Sequence, residues 1–279
     1  MPFVTRFAPS PTGPLHLGHA FSALTAFDAA RAAGGRFLLR MEDLDEGRAR
    51  AAFEAGAYED LAWLGLSWET PVHRQSDHLG EYAGVLRRLI DRGLVYRCFK
   101  TRREVMAALA EAPHERGALY FGAPLAAEEE IERLERGEPF AWRLSIARAC
   151  EALGPRADRL SFVDEAGEHP VEPARLGDAV LARKDFPASY HLASVWDDAL
   201  QGVTDVIRGE DLRDSAHLHG LLQALLDLPA PRYRHHRLIV DAAGRRLAKR
   251  DKDETLASLR VRGVTPAEIR AQLGLALDD

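Results

Sequence analysis

The chain has 279 residues, 46% of them hydrophobic and 29% charged, with 37 Lys and Arg against 43 Asp and Glu for a formal charge of −6. That length suits one large α/β core or a core carrying a substantial insertion. The composition argues against a disordered chain and a membrane span, and the net negative charge argues against a uniform nucleic-acid-binding coat while leaving room for a local one.

The start, Met1-Pro2-Phe3-Val4-Thr5-Arg6, has neither the charged head nor the apolar stretch of a signal peptide, so a cytoplasmic protein is expected. It reads directly into a short buried strand over 3–7. That strand is stopped by Ala8-Pro9-Ser10-Pro11-Thr12-Gly13-Pro14, where three prolines and a glycine force a turn or extended loop. Residues 17–33, rich in Ala and Leu, predict a helix closed by Gly34-Gly35, and 37–41 predict a second strand ending at Glu42-Asp43-Leu44-Asp45. Strand, glycine-bearing loop, helix and strand are the expected opening of an α/β parallel-sheet domain.

Helical spacing recurs over 51–64 and 78–91, with Gly65 and Gly93 as stops, and 94–99 is strand-like. From 100 to 184 the periodicity changes repeatedly. Short helices are expected at 102–110 and 127–136 and strands at 141–146 and 178–183, which reads as an inserted α+β subdomain. The parallel-sheet pattern is expected to resume over 190–196, followed by a strand at 203–208 and a helix at 215–226. Residues 233–240, Asp241-Ala242-Ala243-Gly244 and Arg245-Arg246-Leu247 suggest a hairpin or extended excursion, and helices near 254–260 and 266–273 finish the chain. The expected division is 1–99 and 185–230 as two parts of one core, 100–184 as the insertion, and 231–279 as a lysine-bearing loop with a short helical extension.

Two segments carry nucleotide chemistry. In Pro9 to His19, ending His16-Leu17-Gly18-His19, Gly13 and Gly18 permit close backbone approach, and the following helix N-terminus offers unpaired amides and a favourable field for phosphate. Two imidazoles there can donate hydrogen bonds to phosphoryl oxygens. They need not act as bases, because in carboxylate activation the nucleophile is already ionised and the demanding task is stabilising charge on departing pyrophosphate. No Gly-Lys-Ser/Thr end is present, so the loop is not a P-loop. The second segment, Arg246-Leu247-Ala248-Lys249-Arg250-Asp251, suits a loop whose Lys249 closes over the β- and γ-phosphates. It lies in a stretch where positive charge is locally dense, with Arg232, Arg234, Arg237, Arg245, Arg246, Lys249, Arg250 and Lys252.

Together these segments resemble the two nucleotide signatures of the class I aminoacyl-tRNA synthetases, most closely the glutamyl family. The resemblance implies a Rossmann-like parallel-sheet catalytic core with ATP as substrate. It implies that Gly18 makes room for adenosine, that His16 and His19 stabilise the phosphates, and that Leu247 and Lys249 belong to the ATP-binding segment, with Lys249 stabilising the departing pyrophosphate. The second signature departs from the commonest pattern at Arg246 and Ala248. Arg6-Phe7-Ala8-Pro9-Ser10 looks like the family's glutamate-recognition start: Arg6 suits a bidentate contact with a carboxylate and Ser10 a short hydrogen bond. By the same resemblance Arg208 is a second cation for the substrate, Glu42 holds its ammonium and Tyr190 helps enclose it.

Only 253–279 follow the lysine segment, so no anticodon-binding domain is expected. In this the chain is similar to truncated paralogues of the glutamyl family. That likeness implies tRNA-independent activation of L-glutamate, then transfer to the cyclopentenediol of queuosine in the tRNA(Asp) anticodon loop. The insertion and 232–252 are the candidate tRNA-contact surfaces, and a monomer with no membrane association is expected. A compact transferase charging another tRNA or small acceptor, and a catalytically weakened tRNA-binding regulator, remain as alternatives. The insertion departs from a zinc-bearing version of the family: Lys100 replaces a second cysteine in Cys98-Phe99-Lys100, and no cysteine follows Tyr120-Phe121-Gly122-Ala123-Pro124. Neither His114 nor Cys150 completes a four-ligand site, so zinc independence is expected, with Mg²⁺ arriving on the ATP phosphates.

Overall fold

The computed structural model of the chain describes residues 2–101, 103–105, 119–183, 186–239 and 254–276. In chain order the first elements are β1 (Val4–Phe7), α1 (Leu17–Ala32), β2 (Arg36–Met41), α2 (Ala51–Trp63), β3 (His73–Arg74), α3 (Leu79–Asp91) and β4 (Val95–Cys98). There follow α4 (Ala127–Glu135), β5 (Ala141–Leu144), α5 (Ile146–Leu153), β6 (Ser161–Asp164), β7 (Gly167–Pro170) and β8 (Val180–Arg183). The last are α6 (Tyr190–Leu200), β9 (Asp205–Gly209), α7 (Ser215–Leu226), β10 (Arg232–His236), α8 (Leu256–Val261) and α9 (Pro266–Leu273). No helix among the described residues is long and apolar enough to cross a membrane.

The chain separates into two compact units, one of Met1–Asp77, Gly202–Arg213 and Pro231–Asp279, the other of His78–Gln201 and Asp214–Ala230. Residues 100–184 lie wholly in the second unit, which also takes in chain on either side of them.

The first unit is built on parallel strands. β1 pairs with β2 from Val4↔Arg36 to Phe7↔Leu39, β2 pairs with β3, and β9 pairs with β10 from Asp205↔Arg232 to Gly209↔His236. Thr204 joins the two sets: its amide donates to the Val4 carbonyl at 2.9 Å, and its own carbonyl accepts from Arg232 at 2.8 Å. Every residue of β1 is buried, as expected of a strand covered on both faces. Helix α1 packs on this sheet through Leu17, Phe21, Leu24 and Phe27, sharing a core with Leu39, Leu61, Ile207, Leu259 and Ile269. Gly34 takes φ +59°, and a Cβ on Gly35 would strike the Phe3 carbonyl, so the glycine pair turns the chain directly from α1 into β2. The C-terminal helices return to this core. Arg270 of α9 grips Asp28 of α1 through two bonds of 2.8 Å, and Arg260 of α8 reaches Glu59 at 3.0 Å and Asp60 at 3.6 Å on α2.

The second unit holds an antiparallel sheet in the order β4–β5–β8 and a separate β6–β7 hairpin. Its sheet is pinned by Asp178. The carboxylate accepts from the Tyr96 hydroxyl at 2.8 Å and from the amides of Gly122 and Ile146 at 2.9 Å each, and the Asp178 amide donates to the Tyr120 carbonyl at 2.7 Å. Burial, reinforced by the Asp178 carboxylate, pushes the Tyr96 phenol far above its ordinary range. Among the helices, Tyr82 of α3 donates to the Asp197 carboxylate of α6 at 2.9 Å, and Arg92 donates to the Leu225 carbonyl of α7.

Most predicted elements appear within a residue or two of the expected bounds. One is reversed: 190–196, expected to resume the strand pattern, is the start of helix α6. Ser189 caps it, and the buried positions Leu192, Ala193 and Val195, followed by Asp197, pack it as a helix, which overrides the strand preference of its Tyr, Val and Trp. Of the residues from 233 onward, expected to open a hairpin or extended excursion, 233–236 belong to a strand, β10, that pairs in parallel with β9, the intervening 210–231 supplying the crossover length that parallel pairing needs. Helix α5 and the β6–β7 hairpin were not foreseen. The helix expected at 102–110 lies largely outside the described residues, as does the excursion beyond residue 239.

Asp60 sets a pH dependence. Burial, opposed by Arg260 and aided by Glu59, raises its carboxyl to about 6. The folded state thus favours the protonated acid, and this contribution to stability is complete below the unfolded carboxylate range near ~4 and lost as pH rises through about 6. Thermal denaturation of Asp60→Asn should show less loss of stability than the wild type between about pH 4.5 and about pH 7.5. Parallel curves for the two proteins would show that Asp60 ionises as it does in the unfolded chain.

Candidate active site

The loop leaving β1 runs to the head of α1, where His16 is the N-cap in an extended conformation, φ −135° and ψ 177°. Its Nδ1 accepts from the Gly18 amide at 3.1 Å, and the His19 Nδ1 accepts from the His16 amide at 3.2 Å. This is the reciprocal arrangement that Ser or Thr and Glu usually make, performed by two imidazoles. A ring nitrogen that accepts carries no hydrogen, so each neutral ring holds its hydrogen on Nε2. The rings lie 3.9 Å apart, tilted by 38°. The first turn of α1 contains no acidic residue, which leaves the positive end of the helix available to an anion. Gly18 serves this cap as well: a Cβ there would come within 3.0 Å of the His16 Cε1 and 3.2 Å of its Nδ1.

The loop is held from both sides. The Pro9 carbonyl accepts from Glu42 at 3.0 Å and the Pro11 carbonyl from Arg50 at 3.1 Å. Opposite, the Leu256 amide donates to the Leu15 carbonyl at 2.9 Å, and Thr255 bridges to His16.

Charged side chains occupy the carboxyl ends of the parallel strands, the edge where open α/β sheets bind ligands. Arg6 is the penultimate residue of β1 and Arg208 of β9, each 4% exposed, and Arg40 is the penultimate residue of β2 at 0%. The Arg208 guanidinium lies 4.8 Å from the centre of the Tyr233 ring, and its Nε donates to the His235 Nε2 at 3.4 Å. Tyr233 and His235 stack at 5.9 Å with 6° between their planes. Arg40 approaches the Glu42 carboxylate at 3.3 Å. Buried Asp43 accepts from the Ser76 amide at 2.8 Å and its hydroxyl at 2.6 Å, anchoring the chain beyond Glu42.

Of the residues singled out from sequence, the first unit contains Arg6, Ser10, His16, Gly18, His19, Glu42 and Arg208. Ser10 is exposed and Glu42 half-buried. Tyr190 opens α6 in the second unit, while Leu247 and Lys249 lie outside the described residues. Arg40 and His235 were not among the residues expected. The signals were present: an arginine within the apolar run Phe37-Leu38-Leu39-Arg40-Met41, and a histidine one strand period after Tyr233.

The model of the family described as tRNA synthetases class I (E and Q), catalytic domain, matches residues 2–275, and the chain belongs to that family. It is similar to the glutamyl-Q tRNA(Asp) synthetase of Rhodobacter capsulatus, with 48% identity over 98% of this chain and 100% of that protein. The protein of the same name from Nocardia farcinica is 42% identical over 96% of this chain and 82% of its own. Among solved structures, a glutamate-tRNA synthetase from Elizabethkingia anophelis has a TM-score of 0.75 and 31% identity, covering 91% of this chain. The chain spans about half of that solved protein, 54% of its length.

His16→Ala should lower the unfolding free energy by about 1 kcal/mol through loss of the cap. His16→Asn, whose carbonyl can accept from the Gly18 amide, should recover most of it. Urea unfolding of the three proteins reads both changes, and equal losses for Ala and Asn would show that the cap bond carries no stability.

Proposed function

We propose that the chain uses ATP to convert L-glutamate to glutamyl-adenylate, then transfers the glutamyl group to the cyclopentenediol of queuosine at the wobble position of tRNA(Asp). The observation that carries the activation step is the reciprocal histidine cap at the head of α1, in the same unit as strands whose penultimate residues are Arg6 and Arg208. The acceptor is supported by likeness over nearly the whole of both chains to the Rhodobacter capsulatus glutamyl-Q tRNA(Asp) synthetase.

A glutamate carboxylate oxygen attacks the α-phosphorus of ATP, and the bond to pyrophosphate breaks. A diol hydroxyl then attacks the acyl carbon, loses its proton and releases AMP. The Nε2 hydrogens of His16 and His19 donate to phosphoryl oxygens as charge grows on them, with no reorganisation because the cap already sets both rings. Gly18 leaves room for adenosine. Arg6 and Arg208 bind the glutamate side-chain carboxylate with help from Ser10, a pairing that disfavours uncharged glutamine. Glu42 takes the ammonium, and Tyr190 encloses the amino acid.

Lys249 stabilises the departing pyrophosphate, with Leu247 in the same segment. Lys249 lies six positions before Thr255, which bridges to His16, so the chain between them spans at most ~22 Å. Class I synthetases use ATP, and here Mg²⁺ rides on its phosphates. Residues 100–184 and 232–252 face the tRNA, and the protein works as a cytoplasmic monomer.

Zinc is not required. Among the described residues, the groups at the position of the zinc-bearing version are the Cys98 sulfur and the Tyr120 hydroxyl, 3.7 Å apart, with the Lys100 ammonium 5.7 Å from the centre of the Tyr120 ring. Burial and the bond to Cys98 push the Tyr120 phenol up to about 12, so it keeps its proton. A thiol, a protonated phenol and an ammonium do not make a four-ligand site, and Asp178 supplies the tie that a metal would give.

The test combines the purified chain with radiolabelled glutamate, Mg-ATP and tRNA(Asp) with or without queuosine. Label should enter only the queuosine-bearing tRNA. Equal labelling of both, or periodate-sensitive attachment at the terminal adenosine, would refute the acceptor. Failure of the folded protein to exchange pyrophosphate would indicate a binding role. Lys249→Ala and His16→Asn should each slow pyrophosphate exchange by about 100-fold or more while glutamate binding changes little. Equal losses in rate and in glutamate affinity would reject that division of labour.

A further inference from the structure

Within the second unit, Tyr190, His191 and His219 form a closed triangle of rings. Tyr190 and His191 stand in the first turn of α6, and His219 in the first half of α7. The ring centres are 5.3 Å apart for Tyr190 and His191, 5.7 Å for Tyr190 and His219, and 5.4 Å for the two histidines, every pair steeply inclined. The third side is closed by a hydrogen bond of 3.2 Å between the His191 Nδ1 and the His219 Nε2. His219 is 2% exposed, whereas Tyr190 and His191 are half-buried.

An aromatic side chain in the first turn of a helix ordinarily has more than one χ1 rotamer open to it. Inclined ring contacts are directional, and here two of them bear on Tyr190 from different elements. The bond between the histidines holds both imidazole planes, because one nitrogen must donate and the other accept. The orientation of Tyr190 therefore depends on a bond in which it takes no part.

We propose that the His191–His219 pair positions Tyr190 and so sets the affinity for glutamate, an inference that rests on Tyr190 enclosing the amino acid. Neither histidine touches the substrate. Both act through the tyrosine ring. Because the bond uses named nitrogens, its replacement is specific: the amide nitrogen of glutamine reaches the position of an imidazole Nε2, and asparagine that of an Nδ1. Leucine keeps the bulk and loses the bond.

The test measures KM for glutamate and kcat by ATP–pyrophosphate exchange, with thermal melting, on the full chain. His219→Leu and His191→Leu should each raise KM about fivefold, the scale of one directional ring contact, with kcat changed less than about twofold. His219→Gln and His191→Asn should recover most of the loss. Tyr190→Ala should raise KM at least as far, and His191→Leu added to it should raise KM no further. If His219→Leu does not fold, the half-exposed His191→Leu carries the same comparison. An unchanged KM in His191→Leu beside a raised KM in Tyr190→Ala overturns the positioning role and leaves the reading of Tyr190 intact. A full additional loss in the double variant, or no rescue by asparagine, also overturns it. An unchanged KM in Tyr190→Ala removes both.

Discussion

Helix α1 begins with two imidazoles, each spending its Nδ1 on a backbone amide of the same turn. Local stability and the proposed chemistry depend on these two bonds together. They satisfy amides that a helix start otherwise leaves open, and they fix which nitrogen of each ring bears hydrogen. They also give Gly18 a role without reference to a ligand, since a Cβ there would crowd the His16 ring. A segment that resembles a nucleotide signature is thus at the same time a capping motif. Conservative replacement by asparagine separates the two roles, because it keeps the acceptor and removes the Nε2 hydrogen.

The surrounding sheet carries the complementary half of the proposed site. Arginines stand at the penultimate positions of β1, β2 and β9, where a buried guanidinium is costly unless it has carboxylates or other acceptors at hand. Glu42 serves Arg40, and His235 with Tyr233 serves Arg208. A ring that accepts from Arg208 must be unprotonated at that nitrogen, so the geometry of Arg208 is coupled to the state of His235. Parallel strands place these ends on one edge, and the bond from Leu256 to Leu15 returns the chain to the His16 loop soon after the lysine segment.

The second unit shows how one carboxylate can organise a small sheet. Asp178 draws the Tyr96 hydroxyl and two amides from separate parts of the chain onto its two oxygens, next to the Cys98–Tyr120 contact. Elsewhere in that unit, polar side chains fix aromatic ones, as Asp197 does for Tyr82 and as the histidine pair does for Tyr190.

Helix α7 and the opening strand–helix–strand were legible in the sequence, because spacing, proline and glycine act over a few residues. The segments ending at His19 and centred on Lys249, and the run Arg6 to Ser10, were visible there as runs of neighbouring residues, and their roles stand as proposals. The tertiary structure decided what depends on distant partners. It made 190–200 a helix through contacts with α3, and 232–236 a parallel strand through pairing with β9. It placed His235 beside Arg208, 27 residues away, and gathered onto Asp178 donors lying 82, 56 and 32 residues from it. Even the His16–His19 cap needed the structure: the spacing put both rings on one turn, but only the backbone conformation at His16 turned two possible phosphate donors into a pair that holds itself in place.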